Sequence, residues 1–233
     1  MEKSVVYPNR YDRNRQTISK EEQAKLADSK VAIAGCGGLG GFMAEELSRL
    51  GIGSLILIDE DRHEETNLNR QLTATEQTLG QFKVHAAKAR LEQVNSTTTV
   101  TSHNMFLTSE NAATLLADAN LVMDALDSVS SRLTLEKACH ESGKPLVFAA
   151  IDGWYGMLGI SCPGDNHVAQ LYGKAPDKIE SVLGNPVFTP AVVASLAVAE
   201  ALKLLLGKPA ALQKSFLNID LLNMEFMKFR FRE

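Results

Sequence analysis

A glycine-rich segment, GCGGLGG, occupies residues 35–41. Glycine allows a tight turn and lets the backbone approach phosphate groups, and the amino terminus of a following helix attracts negative charge. Asp59 follows 19 residues after Gly40, at the end of an apolar run, where a carboxylate can accept hydrogen bonds from ribose hydroxyls. The pattern therefore predicts nucleotide binding by Gly35, Gly37, Gly38, Gly40 and Asp59, without choosing the nucleotide. A nicotinamide site or a structural glycine turn stays open.

Further side chains suited to phosphate or metal chemistry follow this segment. Asp61, Asn67 and Arg70 lie in IDEDRHEETNLNRQ (residues 58–71), Lys83 ends GQFK, and Asp127 lies in MDALDS. Taken singly, Arg70 and Lys83 are compatible with solvated surface charges. Asp127 is equally compatible with the cap of a helix that begins near residue 130.

Alternating strands and helices are predicted to hold these residues. Apolar, β-branched runs predict strands at residues 31–35, 54–59, 97–103, 121–126, 145–151 and 156–160. Helices are predicted at residues 19–28, 38–50, 82–95, 109–117, 130–141 and 189–206, with a long loop at 163–185 and a strand-like tail at 216–232. This order predicts an α/β fold, a Rossmann-like doubly wound, mostly parallel sheet with helices on both faces and antiparallel strands toward the C-terminus.

Composition excludes several classes of protein. Hydrophobic residues make up 45% and charged residues 22%. The formal net charge of −4, together with the expectation that no basic run interleaves with aromatics, argues against nucleic acid as a partner. The longest apolar stretch, residues 191–206, is interrupted by Ser195, Glu200 and Lys203 and is expected to be too short and too polar for a membrane span. The first residues lack the apolar run of a secretory signal, so a cytoplasmic location is expected.

The ordered set of motifs resembles the MoeB/ThiF/HesA branch of the ubiquitin-activating-enzyme superfamily. The similar segments are RNRQTI (residues 13–18), residues 58–71, GQFK, MDALDS and SVLGNPVFTPAVVASLAVAEALKLLLG (residues 181–207). The resemblance implies ATP-dependent adenylation of the C-terminal Gly carboxylate of a ubiquitin-like sulfur-carrier protein ending in Gly-Gly, in thiamine, molybdopterin or related biosynthesis. It implies one adenylation domain over residues 1–233: an N-terminal arm and helix (1–30), a nucleotide-binding half (31–151) and a part with the crossover loop and carrier-docking surface (152–233).

The resemblance also assigns roles at the ATP site. Asp59 matches the residue that holds the ribose, and Asp61 is grouped with the nucleotide-binding residues. Arg70 and Lys83 match residues that hold the phosphates, and Asn67 matches a residue beside the β- and γ-phosphates. Stabilising charge that passes to departing pyrophosphate requires such cations and a metal.

Two more matched residues imply a metal and a partner subunit. Asp127 matches the carboxylate that binds magnesium and helps to align the attacking carboxylate. Arg15 matches a residue that reaches the ATP of the neighbouring subunit, which implies a homodimer. Arg15, Arg70, Lys83 and Asp127 are thus the expected catalytic residues.

Some positions depart from the family pattern. Family members often carry two CxxC pairs that bind structural zinc, whereas His167-Val-Ala-Gln170 occupies the place of the first pair, so no zinc is expected. His167 is expected to be an exposed loop residue. No cysteine lies in the loop where some members form a covalent intermediate, and Cys36, Cys139 and Cys162 are spaced for neither zinc nor disulfides. Ser128 stands where the family commonly has Asn.

Other functions remain as alternatives. The tRNA threonylcarbamoyl-adenosine dehydratases resemble this chain in DSV (residues 127–129), and they also activate a carboxylate with ATP. A non-catalytic adaptor that keeps the fold and docks a carrier has no need for Arg70, Lys83 and Asp127 together. A dehydrogenase can be distinguished by its cofactor. NAD would protect a dehydrogenase against thermal unfolding, whereas ATP with magnesium would not.

Overall fold

Eight strands form one mixed sheet in the computed structural model, which describes residues 7–177 and 183–232. The strands are β1 (Lys30–Ala34), β2 (Ser54–Ile58), β3 (Thr99–His103), β4 (Leu121–Asp124), β5 (Leu146–Asp152), β6 (Tyr155–Ser161), β7 (Ser215–Asp220) and β8 (Glu225–Arg230). Their order in the sheet is β3-β2-β1-β4-β5-β6-β7-β8. The first five are parallel and the last three antiparallel, which confirms the predicted fold class.

Helices cover both faces of this sheet. They are α1 (Lys20–Ala27), α2 (Gly38–Leu50), α3 (Lys83–Val94), α4 (Ala112–Leu116), α5 (Val129–Glu141), α6 (His167–Tyr172) and α7 (Phe188–Leu206), with short 3₁₀ helices at Asn9–Asn14 and Glu65–Asn67. One core joins the sheet to α2, α3 and α7, and the other joins it to α4, α5 and α6. In β1, Val31 and Ile33 enter the first core and Ala32 and Ala34 the second, as the two-residue period of a strand requires.

Strand order reverses at β1, and this reversal determines where a ligand can bind. Because β1 lies between β2 and β4, the connections that leave its two neighbours run to opposite faces of the sheet. A crevice forms at such a point beyond the carboxyl ends of the strands. We call this end of the sheet the nucleotide edge; the residues that follow β1, β2 and β4 all lie there.

Two parts of the C-terminal half differ from the sequence prediction. The segment predicted as a loop at 163–185 contains the helix α6, whose backbone amides at Val168 and Ala169 donate to the buried carboxylate of Glu136, at 2.7 and 2.9 Å. His167, expected to be exposed in a loop, is buried at the start of this helix. The strand-like tail is a hairpin of β7 and β8 rather than one extended run.

The most apolar helix, α7, belongs to the core. Its 19 residues have a mean hydropathy of 1.7, so length and composition alone would allow a membrane span, contrary to the sequence expectation. Half of the helix is buried in the fold, against α2, β5 and β6. Glu200 within it accepts from the Leu212 amide at 3.1 Å and pairs with Lys203. Packing within the protein therefore accounts for its hydropathy.

Candidate functional site

The glycine segment turns tightly between β1 and α2, and two of its glycines are required by packing. Gly35 has φ of +92°, and a Cβ there would lie 2.4 Å from the Ala125 carbonyl oxygen; one at Gly40 would lie 1.8 Å from the Gly35 oxygen. At Gly37 and Gly38 a Cβ would meet only side-chain atoms, none nearer than 3.6 Å. Glycine at these two positions is therefore not demanded by the fold. It leaves room beside the start of α2, where backbone amides favour an anion.

Asp59 joins β2 to the glycine segment. One carboxylate oxygen accepts from the Cys36 amide at 2.7 Å and the other accepts from the Asp61 amide at 2.8 Å. Burial raises the pKa of Asp59, while the charge of Lys83 and these hydrogen bonds oppose the increase. A carboxylate oxygen has more than one acceptor direction, so both can still accept from ribose hydroxyls.

Lys83 begins α3 and brings a buried cation to the nucleotide edge. Its side chain is only 10% exposed, and its ammonium group donates to Asp61 at 2.7 Å. Lys83 and Asp61 are also joined through the backbone, since the Lys83 amide donates to the Asp61 carbonyl at 2.9 Å. The charge of Lys83 also acts on Asp59 and Cys36, by lowering their pKa values against burial. Lys83 is thus fixed close to the glycine segment.

Arg70 and Asn67 follow β2, in and just after the 3₁₀ helix at Glu65–Asn67. The Arg70 guanidinium donates to the Thr66 carbonyl at 3.0 Å and to Asn69 at 2.9 Å, and its stem passes beside Gly38. Asn67 accepts from the Glu64 amide at 3.0 Å, which holds the 3₁₀ turn. The cation of Arg70 is therefore positioned next to the opening of α2, where an anion would bind.

Asp127 is exposed in the turn between β4 and α5. The cap of α5 is Ser128, whose hydroxyl accepts from the Ser131 amide, so helix capping does not explain Asp127. This turn touches the glycine segment through Ala125, whose amide donates to the Ala34 carbonyl at 2.8 Å. The structure therefore brings Asp127 to the same edge as Asp59, Lys83 and the glycines.

Arg15 lies apart from these residues. It pairs with Asp12 at 2.7 Å and stacks over Tyr7, on an arm that is anchored at the carboxyl end of α2. There Tyr11 packs against Gly51, and its hydroxyl accepts from Asn95 at 2.8 Å. The glycine segment lies at the opposite end of α2, about 20 Å away for 13 residues. Arg15 does not join the nucleotide edge of its own chain.

Four residues at the nucleotide edge were missed in the sequence. Met105 and Phe106 follow β3 and are exposed, and Asp124 and Arg132 form a buried ion pair behind Asp127. An aspartate that ends a buried strand, followed eight residues later by an arginine inside a helix, is the available signal for that pair. Met105 and Phe106 carry no such signal in the sequence, because an exposed Met or Phe after a strand has no distinctive spacing.

The three thiols are poorly suited to nucleophilic chemistry. Burial raises the pKa of Cys36 well above its usual value and raises that of Cys139 to about 12. Burial and then Asp165 raise the pKa of Cys162 as well. Cys162 follows β6, whose last residue pairs with the first residue of β5. That position is at the end of the sheet opposite the nucleotide edge.

The residues at the nucleotide edge fit a magnesium ion that is held together with phosphates. Within residues 7–177 and 183–232, no three His, Cys, Asp or Glu side chains form a cluster that could hold a metal ion. Magnesium is commonly bound by one or two carboxylates together with substrate phosphates and water, so a single exposed carboxylate is sufficient. Asp127 is the carboxylate that fits.

A glycine turn at the reversal of strand order, with Asp59 and Lys83 held beside it, is typical of a nucleotide-binding α/β protein. The chain matches the ThiF family over residues 11–233, and it belongs to that family. The family resemblance seen in the sequence motifs is thereby confirmed.

Particular relatives show how far the likeness extends. The sulfur carrier protein adenylyltransferase of Thermus thermophilus is 34% identical over 230 residues, which cover 92% of this chain and 83% of the relative. Protein HesA of Nostoc is 34% identical over 212 residues, or 89% of this chain and 83% of the relative. Among solved structures, E. coli MccB with ATP has a TM-score of 0.80 at 24% identity, over 97% of this chain and 73% of that one. That last likeness shows the fold alone.

Proposed function

We propose that this protein is an ATP-dependent adenylyltransferase that activates the C-terminal carboxylate of a ubiquitin-like sulfur-carrier protein, in thiamine, molybdopterin or related sulfur transfer. The observation that carries the proposal is the nucleotide edge, where Arg70 and Lys83 flank the start of α2 and Asp127 follows the neighbouring strand. A dehydrogenase needs no Arg and Lys that converge on a triphosphate. The names of the Thermus relative and of other family members support the same activity.

In this reaction the chain's residues position two reactants and stabilise charge. Asp59 accepts from the ribose hydroxyls, and the open space at Gly37 and Gly38 admits the phosphates. Arg70 and Lys83 neutralise charge that moves onto pyrophosphate as the carrier carboxylate bonds to the α-phosphorus. A magnesium ion held by Asp127 and the phosphates would supply further charge neutralisation.

A homodimer completes the site in this proposal. The arm that carries Arg15 is anchored by Tyr11 and Asn95 at the carboxyl end of α2, about one helix length from the glycine segment of its own chain. An arginine that serves ATP from this position must therefore serve another subunit. We accordingly assign Arg15 to the partner's nucleotide, and we expect the enzyme to act in the cytoplasm.

An apolar surface at the same end of the sheet supports a protein as the second substrate. The exposed apolar residues are Trp154 in the β5–β6 turn, Tyr155 at the start of β6, Leu222 and Met224 in the β7–β8 turn, and Val187 just before α7. Exposed apolar patches of this kind mark protein interaction sites. An extended tail spans at most about 3.6 Å per residue, so the body of a carrier must dock close to the α-phosphate.

Activation of a tRNA-borne carboxylate is the second candidate, and one observation favours it. Contrary to the sequence expectation, residues 226–232, FMKFRFR, interleave basic and aromatic residues. Lys214, Lys228, Arg230 and Arg232 line an open groove of about 580 Å³. This groove lies at the end of the sheet opposite Asp127, so carrier activation remains the better-supported proposal.

ATP–pyrophosphate exchange tests the proposal with one matched pair of variants. Exchange should depend on a Gly-Gly carrier of the host, and Asp127→Ala should reduce it about a hundredfold, because one preorganised charge group is often worth that much. Asp118→Ala is the control, since Asp118 is an exposed aspartate that pairs with Lys30 near the amino ends of the strands. Exchange within about threefold of wild type in folded Asp127→Ala would refute the role, and exchange driven by tRNA instead of a carrier would favour the second candidate.

A further inference from the structure

A buried ion pair lies directly behind the turn that carries Asp127. Asp124 is 0% exposed and the Arg132 side chain 7% exposed, with 2.9 Å between a guanidinium nitrogen and a carboxylate oxygen. Burial raises the pKa of Asp124, and the charge of Arg132 is the largest opposing effect. Removing two charges from water is costly, and apolar residues of similar volume often give equal stability. Core stability alone therefore does not explain the pair.

The pair joins the turn between β4 and α5 to the neighbouring strand β5. The same guanidinium nitrogen of Arg132 donates to the Ala149 carbonyl of β5 at 2.8 Å. The second carboxylate oxygen of Asp124 accepts from the Leu126 amide at 2.9 Å. Two strands and the helix α5 are thus tied together around three residues, the last of which is Asp127.

The other side of this turn touches the glycine segment. The Ala125 amide donates to the Ala34 carbonyl, and its own carbonyl oxygen lies where a side chain at Gly35 would collide with it. A change in the path of the turn would move Asp127 relative to the phosphates. A misplacement of about 1 Å can reduce a rate about a hundredfold.

We infer that Asp124 and Arg132 are positioning residues for Asp127, which hold the turn at residues 125–127 in the geometry that magnesium and the phosphates require. The inference rests on the proposed adenylation. Neither residue touches a reactant: Asp124 shapes the turn through the Leu126 amide, and Arg132 holds Asp124 against β5.

Two variants separate positioning from stability. The double variant Asp124→Leu/Arg132→Met removes both charges at once, so neither member of the pair is left without the other. Arg132→Lys keeps the charge but lacks the planar group that joins Asp124 to the Ala149 carbonyl. We expect both to melt close to wild type, with kcat for exchange about tenfold lower and half-saturating magnesium several-fold higher, and with an unchanged KM for the carrier.

The magnesium requirement can also be measured without a carrier, from the thermal protection by ATP at increasing magnesium concentrations. Both folded variants should need more magnesium for half-maximal protection than wild type. Unchanged kcat and magnesium dependence in either folded variant would overturn the inference, and so would failure of both variants to fold, because the pair would then be architectural. If the proposed function itself is wrong, the wild-type protein will show no carrier-dependent exchange. This outcome differs from a failure of the inference, in which wild type is active and the variants match it.

Discussion

Individual side chains at the nucleotide edge have partners that fix where their charges lie. Lys83 is held by Asp61, and Arg70 by the Thr66 carbonyl and Asn69. A nucleotide that binds there meets cations whose conformational freedom is already restricted, so less ordering entropy is lost on binding. Asp59 also fixes the geometry of this site, because its two carboxylate oxygens accept from the Cys36 and Asp61 amides. Its ionisation state is therefore expected to affect nucleotide binding.

ATP affinity should fall in acid because of Asp59. Its pKa is raised by burial, so this carboxyl gains a proton at a higher pH than an ordinary aspartate, near 4, would. The protonated form cannot accept from both Cys36 and Asp61 amides and from ribose as well. The KM for ATP in pyrophosphate exchange should therefore rise as pH falls through this raised pKa.

Two variants test whether Asp59 causes this rise in the KM for ATP at low pH, which we call the acid limb. Asp59→Asn should raise the KM for ATP about tenfold at neutral pH, as expected for lost hydrogen bonds to a charged group, and should flatten its pH dependence. Asp61→Asn should keep the limb, because the titrating group is still present. An acid limb that persists in Asp59→Asn would assign it to another group.

Thiol chemistry should be dispensable for this enzyme. A thiol with a pKa of about 12, such as Cys139, has only about one thiolate in ten thousand at pH 8, and Cys36 is more deeply buried still. Alkylation of the folded protein at pH 8, followed by mass spectrometry, should leave both unmodified. A variant with Cys36, Cys139 and Cys162 changed to Ser or Ala should keep exchange, and wild type should form no reducible carrier conjugate. A conjugate that reductant releases would contradict this.

Among the elements, those defined by local pattern were predicted correctly and those defined by distant contacts were not. The strands β1 to β5 and the long helices follow from apolar runs and glycine stops, such as Gly51 and Gly207, both in left-handed conformation. The six-residue α6 has its first amides satisfied by Glu136, from an element 32 residues away, so no local signal announced it. The β7–β8 turn lacks glycine and proline and is stabilised instead by Asp220, which accepts from the amides of residues 222 and 223.

Side chains of α6 contact the residues that follow β8. His167 stacks on Phe231 with centroids 3.8 Å apart, and Gln170 exchanges two hydrogen bonds with the backbone of Arg232. His167→Ala should lower the free energy of unfolding by about 1–3 kcal/mol, from the lost stacking and hydrogen bonding. Thermal or urea denaturation measures this, and exposed His140 provides the matched His→Ala control.

The same contacts predict that zinc is not needed. Purified protein should contain no stoichiometric zinc, because no set of four cysteines is available, and a chelator should leave the melting temperature unchanged. Elemental analysis that finds one tightly bound zinc per chain would contradict the prediction, and His167 or Cys162 would then be the first residues to test as ligands.

For the whole molecule, the sequence predicts which strand ends lie together better than it predicts where the N-terminal arm packs. Asp59, Lys83, Arg70 and Asp127 meet because parallel strands bring their carboxyl ends to one edge, which strand order alone dictates. The place of Arg15 depends on where the N-terminal arm packs, and that is decided by Tyr11 filling the space beside Gly51. Such long-range packing has no periodic signature in the sequence.

Mixing subunits tests the proposed division of the site. Arg15→Ala should weaken exchange although every residue at the nucleotide edge of its own chain is intact, because Arg15 serves the partner's ATP. When Arg15→Ala and Asp127→Ala subunits are mixed, one site of the mixed dimer carries both defects and the other carries neither, so activity should partly return. Subunit exchange must be demonstrated independently, for example with two affinity tags, and unmixed variants give the baseline. If exchanged dimers regain nothing, Arg15 acts within its own chain or not at all, and the assignment across the dimer is wrong.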